Sequence, residues 1–267
     1  MELYFRKKGS GDPLVILHGL YGSSDNWLAV AHKLSEKYTV YSIDHRNHGH
    51  SPHHPSHTYR DMVDDLAEFF DNHEVEKAVL LGHSMGGKVA ISFAADNPEK
   101  VKKLIVADIA PKDYLHLGDE SQYHLHRNIL LALLEMDIAR FSDRAEVEER
   151  LAEKIADRRI IRFLLKNTGR DSQSHKLKWR LNAAALFENL EEIVESVNRR
   201  QLDGHIPITA YPVVFIRGLE SPYMKDGDIP VIREIYPEAR FVDIPGAGHW
   251  LHAEQPELFL KAVLECC

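Results

Sequence analysis

The chain has 267 residues, with 44% hydrophobic and 28% charged residues and a formal net charge of −8 at pH 7. This composition is typical of a folded globular protein and excludes a mainly disordered or collagen-like chain. No apolar run approaches the ~18 residues of a membrane span, so we expect no stable membrane insertion. The negative charge disfavours a nucleic-acid partner, because phosphates bind to basic faces.

Short apolar segments alternate with helical patterns along the chain. The segments predicted as buried strands are Leu14–Leu17, Tyr38–Ile43, Ala78–Leu81, Leu104–Ala107, Val213–Ile216 and the weaker Phe241–Ile244, and Leu3–Arg6 is expected to add an edge hairpin strand. Helical spacing of apolar residues occurs between them, at Asn26–Leu34, Met62–Phe70 with Thr58 as its N-cap, Lys88–Ala95 and Pro256–Leu264. The alternation predicts an α/β fold with a mostly parallel sheet flanked by helices on both faces.

Residues 112–205 differ in composition from the rest of the chain. All twelve prolines lie outside this window, which is rich in leucine, arginine and glutamate. Apolar clusters such as 130–134 and 160–165 provide faces for amphipathic helices. We therefore predict a helical cap over 112–205, inserted into a core formed by 1–111 and 206–267. The alternative is that these are ordinary surface helices of a single domain.

The strongest motif is a G-x-S-x-G pattern, Gly82-His83-Ser84-Met85-Gly86. It follows a predicted buried strand and precedes a predicted helix, which is the setting of a nucleophile on a strained strand-to-helix turn. The two glycines remove side chains that would clash in such a turn. Ser84 is therefore the candidate nucleophile.

A serine nucleophile needs a base and an oxyanion hole. His249 lies in a small-residue loop between the last predicted strand and the last helix. It follows Ser84 in the chain, which fits the order serine, acid, histidine found where the serine lies on such a turn. The residue after the nucleophile, Met85, is expected to provide one backbone N–H to the oxyanion. Leu20, which follows the strand ending Leu17-His18-Gly19, is expected to provide the other.

Several further motifs carry a resemblance to a known family. They are His18-Gly19-Leu20, Asp44-x-Arg46-Asn47-His48-Gly49-x-Ser51-Pro52, Gly82–Lys88, Asp108-Ile109-Ala110-Pro111, Gly218-x-x-Ser221-Pro222-Tyr223 and Gly246-Ala247-Gly248-His249-Trp250. Together they resemble the α/β-hydrolase superfamily, and within it the YbfF-type bacterial esterases. The resemblance implies an α/β-hydrolase fold and the hydrolysis of carboxylic esters, with short acyl esters and acyl-CoA thioesters as the usual substrates.

The acid of the catalytic triad has two candidates. Many relatives carry it three residues after a glycine, but here that position is Ser221, and Glu220 lies one residue earlier. Asp108 ends the strand after the predicted nucleophile helix, an arrangement that resembles the YbfF-type enzymes. We expect Asp108 to be the acid and keep Glu220 as the alternative.

Other residue clusters are weaker signals. Six histidines fall within 45–57, where we prefer a polar loop to a metal site and predict no metal and no cofactor. Trp250 is a candidate for the substrate pocket, and so is Trp179, because Trp179-Arg180-x-Asn182 resembles a cap element of the family. The two cysteines, Cys266 and Cys267, are expected in a frayed tail, and the scarcity of cysteine favours a cytoplasmic protein.

These observations predict a serine hydrolase that forms an acyl-enzyme on small-molecule esters or thioesters through a Ser-His-Asp triad. The alternative is a carbon–carbon bond hydrolase or lyase that uses the same serine and histidine on the same fold. A non-catalytic binding module is disfavoured by the complete set of candidate triad residues. The oligomeric state is left open.

Overall fold

A computed structural model describes residues 1–114, 122–195, 197, 202 and 204–266. The strands among these residues are β1 (Phe5–Lys8), β2 (Asp12–Leu17), β3 (Tyr38–Ile43), β4 (Ala78–His83), β5 (Val101–Ala107), β6 (Thr168–Arg170), β7 (Leu177–Trp179), β8 (Val213–Gly218) and β9 (Arg240–Ile244). Seven of these described strands form one sheet in the order β1-β3-β2-β4-β5-β8-β9. Its pairings are parallel except that of β1 with β3, which confirms the predicted sheet.

The first strand differs from its prediction in partner and position. It runs from Phe5 to Lys8 and pairs antiparallel with β3, so that Phe5 lies opposite Ile43. β1 is an edge strand of the sheet, as predicted, but β2 pairs with β3 and β4, so the predicted hairpin is wrong. The turn at Gly9 and Gly11, both at positive φ, carries the chain past β3 rather than folding β2 back onto β1.

Helices cover both faces of the large sheet. Its described helices outside the 112–205 window are α1 (Leu28–Leu34), α2 (Tyr59–Asn72), α3 (Met85–Asp96), α9 (Ile229–Ile235), α10 (Leu251–Glu254) and α11 (Pro256–Cys266). Thr58 is the N-cap of α2, as predicted, and its hydroxyl accepts the backbone N–H of Asp61 at 3.1 Å. Such a cap satisfies one of the N–H groups that a helix leaves unpaired at its first turn.

Alternate side chains of β2 point to opposite faces of the sheet and pack in two separate apolar clusters. Leu14 and Ile16 pack on one face with residues of α1 and α11 such as Leu34 and Phe259. Val15 and Leu17 pack on the opposite face with residues of α2 and α3. Because side chains alternate along a strand, a strand buried on both faces is apolar at every position. This is the uninterrupted pattern that the sequence shows.

The window 112–205 contains helices and a small ribbon. Its helices within the described residues are α4 (Gln122–Leu134), α5 (Arg144–Ala152), α6 (Arg158–Leu165), α7 (Ala183–Glu188) and α8 (Leu190–Val194). Between α6 and α7, β6 and β7 form an antiparallel two-stranded ribbon that the helical pattern does not predict. Residues 115–121, 196, 198–201 and 203 of the window lie outside the described residues. The division into core and cap at 112 and 205 stays a prediction.

The C-terminal prediction is wrong for Cys266. This residue ends α11, is 2% exposed and packs in the apolar cluster that contains Phe259 and Val263. Burial of its side chain against the sheet keeps the last turn of the helix in place. Cys267 lies outside the described residues. In the part of the chain that the structure describes, no helix has the length and hydropathy of a membrane span.

Candidate active site

Ser84 occupies a strained turn between β4 and α3. Its φ of 53° and ψ of −121° are unusual for a residue with a side chain, and such strain is concentrated at functional sites. A Cβ on Gly82 would lie 2.3 Å from the Gly86 carbonyl oxygen, and one on Gly86 would lie 2.3 Å from that of Leu17. Only glycine fits at either position, so these two residues allow the turn that projects Ser84 from the sheet edge.

The structure brings Ser84, His249 and Asp108 together in one relay. His249 Nε2 lies 3.0 Å from Ser84 Oγ, and His249 Nδ1 lies 2.7 Å from Asp108 Oδ2. The three residues come from the ends of β4, β9 and β5, where the carboxyl ends of parallel strands converge. With Nδ1 donating to the carboxylate, Nε2 is free to accept the serine proton.

Asp108 is fully buried and held by three donors. Besides His249 Nδ1, its carboxylate accepts the Gly218 backbone N–H at 3.1 Å and the Ser221 hydroxyl. Glu220 is exposed. In the sequence, Ser221 stands only where many relatives carry an acid, whereas the structure shows that its hydroxyl donates to Asp108 at the end of the neighbouring strand.

Two contacts fix the loop that carries His249. The His83 ring donates from Nε2 to the His249 carbonyl oxygen at 2.8 Å, and the Glu254 carboxylate accepts the Gly248 N–H at 2.6 Å. Burial lowers the pKa of His83 well below its ordinary value, which keeps its ring neutral. His83 occupies a variable position of the G-x-S-x-G motif, and its hydrogen bond to the loop that carries His249 has no signal in the sequence.

The segment Gly19–Tyr21 lies against Ser84. A Cβ on Gly19 would lie 3.0 Å from Ser84 Cβ, so the backbone approaches the serine closely. Leu20 lines the space around Ser84, and Met85 lines it from the first turn of α3. The two candidate oxyanion donors thus flank the serine from opposite elements.

Two neutral histidines support this segment. His18 lies between the Gly19 carbonyl oxygen at 2.8 Å from Nδ1 and the His45 N–H at 3.0 Å from Nε2. His48 accepts the Tyr21 N–H at 3.2 Å through Nε2. Burial lowers the pKa of His18 to about 4 and that of His48 to about 3. Both rings can therefore accept backbone N–H groups at neutral pH.

Comparison with known proteins places this chain in a family. The alpha/beta hydrolase fold family matches residues 12–256. The chain belongs to this family. It is 35% identical over 265 residues to the sn-1-specific diacylglycerol lipase ABHD11 of Danio rerio, with 97% of this chain and 80% of that protein covered. It is 32% identical over 254 residues to Esterase YbfF of Escherichia coli K12, with 95% and 92% covered.

A solved structure supports the same placement. The chain superimposes on a marine microorganism esterase with a TM-score of 0.92 and 44% identity, covering 100% of this chain and 99% of that one. The resemblance to YbfF-type esterases and the predicted fold are confirmed. This chain is a hydrolase of the esterase and lipase type.

Two cavities of this hydrolase meet at Ser84. The larger, about 400 Å³, opens between α4, α6 and the loop that carries His249, and its lining includes Phe163, Glu220 and Trp250. The smaller, about 30 Å³, extends along α3 toward the buried side chain of Lys88 and is lined mainly by apolar residues. The side chain of Ser84 therefore has open space on two sides.

The two tryptophans differ in position. Trp250 lines the larger cavity and its ring centroid lies 5.3 Å from that of Phe163 on α6. Trp179 ends β7, pairs with Thr168 and is absent from the residues that line either cavity. The nearby Asn182 instead binds Asn47, with its N–H donating to the Asn47 carbonyl oxygen at 3.0 Å. This motif therefore joins the window 112–205 to the loop after β3.

The histidine-rich segment 45–57 follows β3 and contains both buried and exposed histidines. His45, His48 and His57 are buried, whereas His50, His53 and His54 are exposed. In the described part of the chain no group of three or more His, Cys, Asp or Glu residues is arranged to hold a metal ion. Arg46 forms a buried bidentate ion pair with Asp65 at 2.6 and 2.8 Å, which ties this segment to α2.

Lys88 is the one cation buried beside the smaller cavity among the residues described. Its ammonium donates to the carbonyl oxygens of Ile193 and Val194 at 3.2 and 3.3 Å, and to that of Glu195. These carbonyls end α8, where the helix dipole is negative. Burial lowers the Lys88 pKa from 10.5 to about 7, while the charges of Asp113 and Glu195 oppose this shift.

Proposed function

We propose that this hydrolase cleaves carboxylic esters through an acyl-enzyme on Ser84, with His249 as general base and Asp108 as the acid of the triad. The observation that carries the proposal is the relay from Ser84 Oγ through His249 to Asp108, with distances of 3.0 and 2.7 Å. A serine hydroxyl is a weak nucleophile until a neighbouring base accepts its proton. A relay of this geometry supports acyl transfer.

The first half of the reaction forms the acyl-enzyme. Ser84 Oγ attacks the acyl carbon while His249 Nε2 takes the hydroxyl proton. The buried Asp108 carboxylate stabilises the imidazolium that results and holds its orientation. The N–H groups of Leu20 and Met85 stabilise the tetrahedral oxyanion. Collapse of this intermediate breaks the ester bond, and His249 gives its proton to the departing alcohol oxygen.

The second half regenerates the enzyme. His249 takes a proton from water, which attacks the acyl carbon on Ser84. The second tetrahedral intermediate uses the same N–H groups and releases a carboxylic acid. The proton returns from His249 to Ser84 Oγ, so one water is consumed per ester and no cofactor enters the cycle.

Cavity size supports a short acyl group. A site needs about 10–15 Å³ of volume to hold one water, so 30 Å³ fits roughly two water-sized groups. This is the size of an acetyl or propionyl chain. We assign the acyl group to the smaller cavity and the alcohol to the larger one, where Trp250 contributes an apolar wall.

Charge at the larger cavity favours a neutral alcohol. Its lining carries Asp157, Glu220 and Glu254 against one arginine, Arg159, which is already paired with Asp157 at 2.9 Å. A polyanionic leaving group such as coenzyme A meets like charge at this surface. The acyl-CoA thioesters implied by the family resemblance are therefore the less favoured substrates.

The proposal also covers the role of the window 112–205 and the partner of the protein. We propose that the window 112–205 acts as a cap that selects the alcohol and acyl groups, because α4, α6 and α8 contribute to the cavity walls. The partner is then a small neutral ester rather than a nucleic acid. A cytoplasmic location stays a prediction from the sequence.

An ester panel tests the proposal. Turnover of p-nitrophenyl acetate, butyrate and octanoate, of acetyl-CoA and of a meta-cleavage diketone is measured for the parent and Ser84→Ala. We expect the parent to hydrolyse p-nitrophenyl acetate faster than p-nitrophenyl octanoate and acetyl-CoA. Ser84→Ala should lose all ester turnover. A fluorophosphonate should add once to the parent and not to the variant. Preferential turnover of the diketone would instead support the carbon–carbon hydrolase.

A further inference from the structure

Tyr223 forms the closest ring contact of the catalytic base among the described residues. Its ring centroid lies 3.8 Å from that of His249, and the two planes are inclined by 20°. The other rings near this histidine, those of His83 and Trp250, lie at 4.8 and 6.4 Å with larger inclinations. One face of the imidazole is therefore covered by a phenol ring.

The hydroxyl of Tyr223 holds this ring from the far side. It donates to Gln122 Oε1 at 2.5 Å and lies 3.3 Å from His126 Nε2, and both partners belong to α4. Burial lowers the His126 pKa to about 3, so its ring is neutral and can donate from Nε2 to the phenol oxygen. Tyr223 thus links α4 to the base.

The backbone of Tyr223 is fixed as well. Its N–H donates to Ser221 Oγ at 3.2 Å, and its carbonyl oxygen accepts the Tyr114 hydroxyl at 2.7 Å. Ser221 in turn donates to Asp108. One short segment after β8 therefore contacts the acid of the relay through a hydroxyl and the base through an aromatic face.

We propose that Tyr223 is a positioning residue for His249, an inference that rests on the proposed function. Its ring confines the imidazole to the orientation in which Nε2 faces Ser84 and Nδ1 faces Asp108. The negative face of the phenol also stabilises the imidazolium that forms when Ser84 attacks. Both effects act on the transition state more than on substrate binding, so they affect kcat more than KM.

Two substitutions at this position separate the ring from the hydroxyl. Tyr223→Leu removes the aromatic face, and we expect kcat for p-nitrophenyl acetate to fall about tenfold with KM changed less than about threefold. Tyr223→Phe keeps the ring and should restore kcat to within about threefold of the parent. Tyr4→Leu, which removes a ring that contacts His50 at 4.8 Å, is the matched control and should leave kcat unchanged.

The outcomes distinguish this inference from the proposed function. Thermal unfolding of each variant identifies folded protein, and stoichiometric fluorophosphonate labelling shows that Ser84 is accessible. A Tyr223→Leu enzyme with parental kcat would overturn the positioning role while Ser84→Ala remains inactive. Equal losses in Tyr223→Phe and Tyr223→Leu would also overturn it, because the ring would then not be the active part. Activity in Ser84→Ala would refute the proposed function itself.

Discussion

Burial of the Lys88 ammonium predicts that stability rises with pH. The side chain is 2% exposed and its pKa is lowered from 10.5 to about 7 in the folded protein. Between these values the unfolded chain binds a proton that the folded chain does not, so the free energy of unfolding increases with pH. At 1.36 kcal/mol per pKa unit, the shift from 10.5 to about 7 means that burial of the protonated lysine lowers the free energy of unfolding by about 5 kcal/mol. This loss of stability is complete below pH 7 and absent above pH 10.5.

Lys88→Met removes the titrating group and keeps most of the side-chain length. Urea unfolding of the parent and the variant at pH 7 and pH 9 gives the difference between their free energies of unfolding at each pH. Integration over this interval predicts that the parent gains about 2 kcal/mol relative to Lys88→Met. Comparing the change between the two pH values cancels the cost of leaving the carbonyls of Ile193 and Val194 unpaired.

An exposed lysine provides the control for this measurement. Lys33 is 56% exposed, and the difference between the parent and Lys33→Met should be the same at both pH values. A difference for Lys88→Met that stays constant within about 0.5 kcal/mol would refute the reasoning, since it would mean that the buried amine keeps its proton in the folded state.

Three further predictions concern the relay and the turn at Ser84. Asp108→Asn removes the carboxylate charge next to His249, and kcat for p-nitrophenyl acetate should fall on the order of 10²–10⁴-fold. Glu220→Gln should stay within about threefold because it lies at an exposed position, and a larger loss there than in Asp108→Asn would move the acid to Glu220. Ser221→Ala removes a donor to the buried Asp108, so urea unfolding should show a loss of about 1–3 kcal/mol, and an unchanged value would contradict the importance of that bond. Gly86→Ala would place a Cβ 2.3 Å from the Leu17 carbonyl oxygen and should lower Tm, whereas Gly204→Ala, with open space around it, should not.

The large sheet was predictable because its strands are buried on both faces. Tyr38–Ile43 has the bounds that the sequence predicts, and the other predicted strands of the sheet differ by a few residues at their ends. β1 was misplaced because an edge strand of polar residues such as Arg6 and Lys8 lacks that pattern. The ribbon of β6 and β7 was missed because each of its strands has only three residues.

The candidate site was predictable where the backbone imposes a local demand. The glycines around Ser84 indicate a strained turn, and this demand is visible within five residues of sequence. The contacts of Asp108 with Ser221 and Gly218 depend on how β5 pairs with β8, more than a hundred residues apart. The stacking of Tyr223 on His249 likewise joins the segments that follow two paired strands, β8 and β9. Contacts that arise from strand pairing produce no local residue pattern that could be recognised in the sequence.

Trapping the acyl-enzyme tests the central claim most directly. The parent is mixed with excess p-nitrophenyl acetate, quenched in acid during turnover and digested for mass spectrometry. We predict one acetyl group on the peptide that contains Ser84, located on Ser84 itself, and neither acetylation nor turnover in Ser84→Ala. Acetylation of a different residue during turnover, or full turnover by Ser84→Ala, would contradict the assignment of Ser84 as the nucleophile.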